Sequence, residues 1–407
     1  MALFDRLKTR RNSHAAGLSA KASAVAGLGG HGHGTAYLGV PAPRWSGRGY
    51  EALVQAGYQR NPVVQRCVRI IAESTAAARW VLSRDGTRLS AHPLLDLLAQ
   101  PNPQQCGPAF LETLVSYLIL SGNGFVERVD GGDGAPVELH ALPPERMRVV
   151  PGPAGWPARY DYHVAGHRHG FAVDAATGQS QILHLRQFHP SDDHYGLSPL
   201  AAAARAIDLH EAVDNWNKAL IDNAARPSGA LVFEARDGQP ASLTEEQFER
   251  LKAEMEDSFQ GARNAGRPLL LEGGLKWQQM AFSPADMNHG DTKHNAARDI
   301  ALTFGVPPML LGIPGDNSYA NYQEANRALW RLTLLPLLEK LAKTLGNWLA
   351  AAFDAPGLAL DFDRDAVPAL AHERERLWNQ IANASFLTDA EKRTLLGLPA
   401  AASREQA

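Results

Sequence analysis

The chain has 407 residues, of which 45% are hydrophobic and 20% charged, as in an ordinary folded protein of two or three domains. Its formal net charge of −3 excludes a global basic field for tight nucleic-acid binding, although weak contact with DNA stays open. We predict no transmembrane helix and no secretory signal, because the sequence has no long apolar run. Cys67 and Cys106 lack metal-ligand spacing and are predicted to be buried free thiols in a reducing cytoplasm.

Residues 1–45 are rich in Ala, Gly, Ser and His, and seven basic residues up to Arg48 accompany a single acid, Asp5. Such a composition buries too little apolar surface to become ordered alone. We therefore predict a flexible basic N-terminal arm. It is interpreted as a solvated tail, and the alternative is a segment that becomes ordered on a partner or on DNA.

The next part of the chain alternates between short helical and strand patterns. Asn61 precedes Pro62, and apolar residues then recur at helical spacing, which predicts a helix from this point. Further helices are predicted at 92–98 and 110–120, and strands at 80–82, 125–129, 137–142, 148–150, 160–164 and 182–186. This mixture indicates an α+β fold class.

Longer helices dominate from Ser198, which is predicted to cap an alanine-rich helix running to about Ala225. Thr244 and Gln247 occupy capping-box positions at the start of an acidic helix. Strands are predicted on both sides of that helix, at 231–233, 269–271 and 275–280. Another helix begins at Asp286 or Asp291 and ends at Gly305.

The stretch from Ile300 to Trp348 is the most informative. Pro307 and Pro308 prevent the preceding helix from continuing, and a loop containing two glycines follows. The next pattern is a long helix with Pro336 in its middle, which predicts a kink. A strand at 358–362, a helix at 372–383 and a final helix that Thr388 begins complete the chain.

The sequence carries no phosphate-binding P-loop, HExxH, zinc-finger spacing or GxSxG, so we predict no catalytic residue, metal or cofactor. Ser198 is better explained as a helix cap than as a nucleophile. Histidines do lie close together, and we interpret them as surface residues around turns. The alternative is a metal-dependent nuclease or hydrolase that uses these His and Asp clusters. The clusters comprise His163, His167 and His169, and His184, His189 and His194 beside Asp192 and Asp193.

Nine segments in order resemble the portal proteins of tailed bacteriophages of the Hong Kong 97 type, which also occur in prophages and gene transfer agents. Each segment alone is a string of caps and turns, but together they span roughly residues 50–400. The segments are Asn61-Pro62, HPLLDLLAQPNP (92–103), LSGNG (120–124), ILHLR (182–186), YGLSPL (195–200), ARPSGAL (225–231), LLLEGGLKW (269–277), IALTFGVPPMLLG (300–312) and SYANYQEANRALW (318–330).

The resemblance implies a portal-type α+β subunit with an α/β wing, a two-helix stem, a small α/β clip, a long kinked helix and a short helical crown. Its parts map onto this sequence in order. They are the wing (46–195), first stem helix (196–228), clip (229–285), second stem helix (286–305), channel or tunnel loop (306–321), kinked wing helix (322–352) and C-terminal crown segment (353–407).

The resemblance also implies a non-enzymatic function. Identical subunits would form a ring, a dodecamer in the particle, at one vertex of the capsid, after assembly in the bacterial cytoplasm. Double-stranded DNA would pass through the channel during packaging and ejection. The implied partners are the major capsid protein, the terminase large subunit and the head–tail adaptor protein, with no membrane. A further alternative is a capsid-associated adaptor that contacts DNA only indirectly.

Three groups of site residues follow from the resemblance. The channel loop would border the DNA path with mostly uncharged polar side chains, which suit transient contacts with a sliding polyanion. Pro336 would mark the helix kink, and acids of the clip would dock partners. The loop residues are Gly315, Asp316, Asn317, Ser318, Tyr319 and Asn321, and the clip acids are Glu245, Glu246, Glu249 and Glu256.

Overall fold

A computed structural model describes residues 50–153, 155–222, 229–233, 244–247, 249–250, 252–253, 275–279, 289–314 and 319–396. The predicted basic arm at 1–45 lies outside these residues. The described chain mixes helices with small sheets, so the α+β fold class is confirmed. None of the described helices is both long and apolar enough to cross a membrane.

The first part of the fold follows the predicted order closely. Helix α1 (Tyr50–Leu53) continues into a π-helical turn (Val54–Tyr58) before the longer helices begin. The helices are α2 (Pro62–Ala76), α3 (Pro93–Ala99) and α4 (Gly107–Ser121). The strands are β1 (Trp80–Arg84), β2 (Thr87–Leu89), β3 (Asn123–Asp130), β4 (Pro136–Leu142), β5 (Met147–Pro151), β6 (Pro157–Val164), β7 (His167–Ala172) and β8 (Ile182–Arg186).

Local hydrogen bonds explain where α2 begins. The Asn61 Oδ1 atom accepts from the backbone N–H groups of Val63 (3.1 Å) and Val64 (3.2 Å). Pro62 fills the first helical position, where its missing N–H costs nothing. The start predicted from Asn61-Pro62 is therefore confirmed.

Strands β1 to β8 form antiparallel sheets in the orders β4-β3-β8 and β5-β6-β7, and β1 and β2 form a third sheet with a later strand, β11 (Leu358–Phe362), in the order β11-β1-β2. Strand β11 comes from far along the chain and pairs with β1, so the C-terminal part returns to the α+β region. Strand β7 was not predicted, because its residues are mostly exposed and lack the apolar alternation of a half-buried strand.

Helices dominate the second half. Those whose limits the structure describes are α5 (Pro199–Asp222), α6 (His289–Phe304), α7 (Tyr319–Leu329), α8 (Leu335–Ala352), α9 (Ala371–Asn383) and α10 (Asp389–Leu395). A π-helical segment, Trp330–Leu334, joins α7 directly to α8. Strands β9 (Gly229–Phe233) and β10 (Leu275–Gln279) pair antiparallel with each other. The strand predicted at 269–271 lies outside the described residues.

One hydrophobic core joins the two halves. Phe110 and Leu114 of α4 are fully buried in it together with Ile300 of α6 and Leu334 of the π-helical segment. Burial of such side chains contributes roughly 1.5–3 kcal/mol each to stability. A smaller cluster around Phe125 and Tyr160 fills the space between the β3 and β6 sheets.

The cysteine prediction is half correct. Both thiols are free, and Cys67 is buried on α2, where burial raises its pKa to about 12. Cys106 is exposed, so its predicted burial was wrong. It lies at the N-cap position of α4, where the chain is still extended and its side chain does not reach the core that begins at Gly107.

Candidate functional site

Two of the sequence segments that carry the family resemblance contact each other directly. Gly122 ends α4 with φ +78°, and a Cβ atom on it would lie 2.4 Å from the Gly196 carbonyl oxygen. A Cβ atom on Gly196 would lie 2.1 Å from the Gly122 carbonyl oxygen. The Gln187 N–H also donates to that Gly122 oxygen at 2.8 Å. Only glycine fits on both sides of this backbone contact, which we call the glycine junction.

Asn123 connects the glycine junction to the sheet. Its Oδ1 atom accepts from the Gly196 N–H (2.8 Å) and from the His184 Nε2–H (3.0 Å). The backbone donor beside it indicates that Oδ1 is the atom facing both groups, so His184 must carry its hydrogen on Nε2. His184 also stacks on Phe125 with ring centroids 4.1 Å apart. Burial, together with Arg186 and His194, lowers the pKa of His184 to about 3.

His184 is therefore a neutral structural residue of strand β8, and its interpretation as a surface histidine was wrong. The signal was present in the sequence, since His184 lies inside the apolar strand ILHLR, but its partner Asn123 is 61 residues away. His163, His167 and His169 are exposed on the β6–β7 hairpin, as predicted.

No group of three or more His, Cys, Asp or Glu side chains in the described part of the chain is arranged to hold a metal ion. The His and Asp clusters of the alternative interpretation are also spread over different environments. Asp192 uses its Oδ1 atom to accept the N–H groups of His194 (2.8 Å) and Tyr195 (2.9 Å). These bonds lower the pKa of Asp192 and hold the loop that precedes α5. The metal-dependent nuclease or hydrolase is thus not favoured.

Ser198 acts as the predicted helix cap. Its Oγ atom accepts from the Leu200 N–H at 2.9 Å and donates to the Ile119 carbonyl at 2.9 Å. The second bond satisfies an otherwise free carbonyl at the C-terminal end of α4. Ser198 therefore links α4 to the start of α5, and its buried hydroxyl is fully used in structure.

Helices α5 and α6 pack against each other as a pair. Lys293 of α6 forms an ion pair with Asp214 of α5. A polar cleft of about 210 Å³ lies beside this ion pair, between α5 and the start of α2. The cleft is lined by Arg60, Asn61, Pro62, His210, Glu211, Asp214 and Asn215.

The connection after α6 is held at two points. Gly305 has φ +67° at the end of α6, and the Thr333 Oγ atom donates to its carbonyl oxygen at 2.7 Å. A short 3-10 turn (Pro308–Leu311) follows. The Arg298 guanidinium then donates to the Pro314 carbonyl at 2.5 Å, which ties the chain back to α6.

The predicted channel loop falls at this connection. Gly315, Asp316, Asn317 and Ser318 lie outside the described residues. Tyr319 is the first residue of α7 and Asn321 lies in its first turn, so both are helical and the loop ends earlier than predicted. The polar composition of the segment concealed this start, because Tyr, Asn and Gln carry no apolar periodicity there.

Pro336 lies in the first turn of α8, directly after the π-helical segment. There the Leu335 N–H donates to the Trp330 carbonyl, one residue further back than in an α-helix. Prolines and π-helical segments are recurrent causes of helix bends. The kink at Pro336 itself stays a prediction. Leu332 of this segment is 78% exposed despite its apolar side chain.

The acidic helix begins as predicted. The Thr244 N–H donates to the Gln247 Oε1 atom at 3.0 Å, and the Gln247 N–H donates to the Thr244 Oγ1 atom at 3.3 Å. Glu245, Glu246 and Glu249 are exposed, whereas Glu256 lies outside the described residues. The exposed carboxylates fit a solvated or partner-facing surface, and their docking role stays a prediction.

The family of the chain follows from its similarity to known proteins. The sequence model described as "Phage portal protein" matches residues 62–397. A protein of Rickettsia bellii is 45% identical over 344 residues, which cover 84% of this chain and 88% of that protein. The portal protein of Enterobacteria phage HK97 is 25% identical over 321 residues, or 75% of this chain and 70% of that protein.

Solved structures agree with the sequence matches. A chain in the neck of an empty gene transfer agent (GTA) particle, computed with C6 symmetry, is 52% identical, with a TM-score of 0.70. The match covers 89% of this chain and 97% of that chain. A chain in the neck of a native GTA particle, computed with C12 symmetry, is 51% identical, with a TM-score of 0.67 and coverage of 88% and 97%. The protein belongs to the phage portal protein family.

Proposed function

We propose that this protein is the portal of a virus-like particle, where copies of the chain form a closed ring at one capsid vertex. The observation that carries the proposal is the 52% identity to a chain in the neck of a GTA particle, across nearly the whole of both chains. The C12 symmetry used for a second neck supports a ring of twelve copies. A ring of this kind uses one interface repeated by rotation.

The elements of the fold can be assigned in chain order to the parts of a portal subunit. The α+β region with its glycine junction acts as the wing, and α5 and α6 act as the two stem helices. The chain near β9 and β10, with the acidic helix between them, acts as the clip. Helices α9 and α10 belong to the crown segment. Support comes from the order of these segments and from the α5–α6 pairing through Lys293 and Asp214.

The connection between α6 and α7 is the proposed channel segment. Its residues at 315–318, together with Tyr319 and Asn321, offer mostly hydrogen-bonding groups rather than clustered cations. Because phosphate neutralisation by Lys and Arg makes DNA binding tight and salt-dependent, their scarcity here favours sliding over capture. The role is structural and requires no catalytic residue.

Depletion and complementation in the producing cell test the proposal. Without the chain, capsids should lack DNA, and the wild-type gene should restore filled particles. Replacing residues 315–318 by four alanines should preserve rings but reduce the number of DNA-filled particles. Filled particles at the normal number from cells without the chain would contradict the portal assignment.

The clip assignment has a separate test. The double variant Glu245→Lys/Glu246→Lys should weaken co-purification of the terminase large subunit or of the head–tail adaptor, because the exposed carboxylates offer an acidic docking surface. The matched control, Glu51→Lys/Glu112→Lys, changes the charge equally on exposed positions of the α+β region. Equal co-purification by both double variants would overturn the clip assignment.

A further inference from the structure

Asn61 and His210 form a buried polar contact between the start of α2 and the middle of α5. Asn61 precedes α2 and is 1% exposed, whereas His210 lies in the middle of α5 and is 3% exposed. The Asn61 Nδ2 atom is 3.3 Å from the His210 Nδ1 atom, across 149 residues of sequence. The two residues also line the polar cleft beside the α5–α6 pair.

The protonation state of His210 follows from the orientation of the Asn61 amide. Its Oδ1 atom already accepts two backbone N–H groups, from Val63 and Val64, so its NH₂ group faces the imidazole. Two donors cannot bond to each other, and Nδ1 must therefore be an unprotonated acceptor. His210 makes this contact only as the neutral imidazole with its hydrogen on Nε2.

The surrounding charged groups have opposite effects on the protonation of His210. Asp214 of α5 lies 3.8 Å from Nδ1 and favours protonation, whereas Lys293 of α6 opposes it. Arg60, before α2, and Glu211 of α5 line the same cleft. Burial has the largest effect and lowers the pKa of His210 from its ordinary value.

We propose that the Asn61–His210 hydrogen bond is a proton-sensitive link, which holds α5 against α2 at neutral pH and is released in mild acid. A proton on Nδ1 would place an N–H opposite the Asn61 NH₂ group and remove the contact. The inference goes beyond the portal assignment and rests on the geometry of one subunit. If the proton-sensitive link is disproved, the proposed ring and channel are not affected.

The direction of the pH effect follows from linkage. The folded protein disfavours protonated His210, whereas the unfolded chain protonates with a pKa of about 6.5. The stabilising contribution is therefore complete above about pH 6.5 and decreases as the pH falls below it. The Glu211 carboxyl, whose pKa is raised by burial and by Asp208, has the opposite sign and gains stability in acid. A histidine-specific variant is needed to separate the two.

Hydrogen–deuterium exchange of the full-length protein at pH 7.5 and 5.5, corrected for intrinsic exchange rates, tests the link. Protection of the first turns of α2 should fall up to about tenfold at pH 5.5. This is the largest change that protonation of one group with an unfolded pKa of about 6.5 can cause at that pH. His210→Gln should show no such fall, because residue 210 then carries no group that titrates between these pH values. The exposed control His163→Gln should respond like the wild type. An equal fall in His210→Gln, or none in the wild type, would overturn the proposal.

Asn61→Asp provides an independent test that does not depend on the folding of His210→Gln. Aspartate caps a helix as well as asparagine does, so α2 should keep its start. Its second carboxylate oxygen would then face Nδ1, accept a hydrogen bond from an N–H there, and favour the protonated imidazole through its negative charge. The pH response should reverse, with greater protection of α2 at pH 5.5 than at 7.5. A response in the wild-type direction would contradict the link.

Discussion

The glycine junction and the connection from Gly305 to Leu334 differ in how closely their backbones are packed and in how exposed their hydrogen bonds are. At the junction, Gly122 and Gly196 bring two backbone segments so close together that neither position has room for a methyl group. In the Gly305–Leu334 connection, by contrast, the Thr333 hydroxyl and the Arg298 guanidinium donate to backbone carbonyls at exposed positions. The first region leaves no room for displacement, whereas these two exposed hydrogen bonds of the second can break one at a time, although Leu334 at its end is buried in the main core.

This difference matches what a conduit requires of each part. Leu120 and Leu200, on either side of the glycine junction, are buried in the main core and fix the direction in which α5 leaves the sheets. The connection instead includes Leu332, which is 78% exposed, beside its two exposed hydrogen bonds. Regions with few buried contacts and exposed hydrogen bonds open at low free-energy cost. We therefore expect the exposed hydrogen bond between Thr333 and Gly305 to open more readily than the glycine junction.

The largest effect is expected from Gly122→Ala. A methyl group would meet the Gly196 carbonyl at 2.4 Å, and the positive φ adds backbone strain. Strain and overpacking together should lower the free energy of unfolding by about 3 kcal/mol. The matched control is Gly132→Ala, whose methyl group would meet nothing within 4 Å. Equal denaturant midpoints for the two variants would break the comparison.

A smaller effect is expected from His184, which tests the same rigid region through pH. Because its folded-state pKa is about 3 and its unfolded pKa about 6.5, its stabilising contribution is complete above pH 6.5 and is lost as the pH falls. Between pH 6.5 and 5 the loss from this group amounts to about 2 kcal/mol. His184→Gln keeps a donor for Asn123 but does not titrate. Denaturant titrations at the two pH values should therefore show a loss of unfolding free energy about 2 kcal/mol smaller for this variant than for the wild type. The exposed control His167→Gln should follow the wild type, and an identical pH dependence of all three proteins would show that His184 titrates normally.

The smallest effect is expected in the connection. Thr333→Val removes the hydroxyl that donates to Gly305, at a cost of about 1 kcal/mol. Amide exchange at the end of α6 should accelerate about fivefold, with little change in the exchange of α4. Thr344→Val is the matched control, since its hydroxyl bonds only within its own helix, to the Lys340 carbonyl. Uniform acceleration across the chain would mean that the connection does not open independently.

The parts of the structure that were predicted correctly depend on short-range bonds. Asn61, Ser198 and Thr388 were recognised as helix starts, because a cap acts within three residues of itself. Strand β11 was also predicted with its observed limits, since its residues alternate between buried and exposed.

The parts that were missed depend on partners far along the chain. The LSGNG and YGLSPL segments were both recognised, but nothing in either segment shows that Gly122 lies against Gly196. His184 was misinterpreted for the same reason, because Phe125 and Asn123 reach it only through strand pairing. Local patterns define turns and caps, whereas their pairing is decided by the packing of the whole subunit.

We propose that copies of this chain close into a ring around a DNA channel at one vertex. Cryo-electron microscopy of particles, reconstructed without imposed symmetry, would show such a ring. We expect twelve copies of the described fold around a central channel at a single vertex, with the α6–α7 connection facing the lumen. Copies of the chain spread over many vertices, or a solid assembly with no channel, would contradict the account.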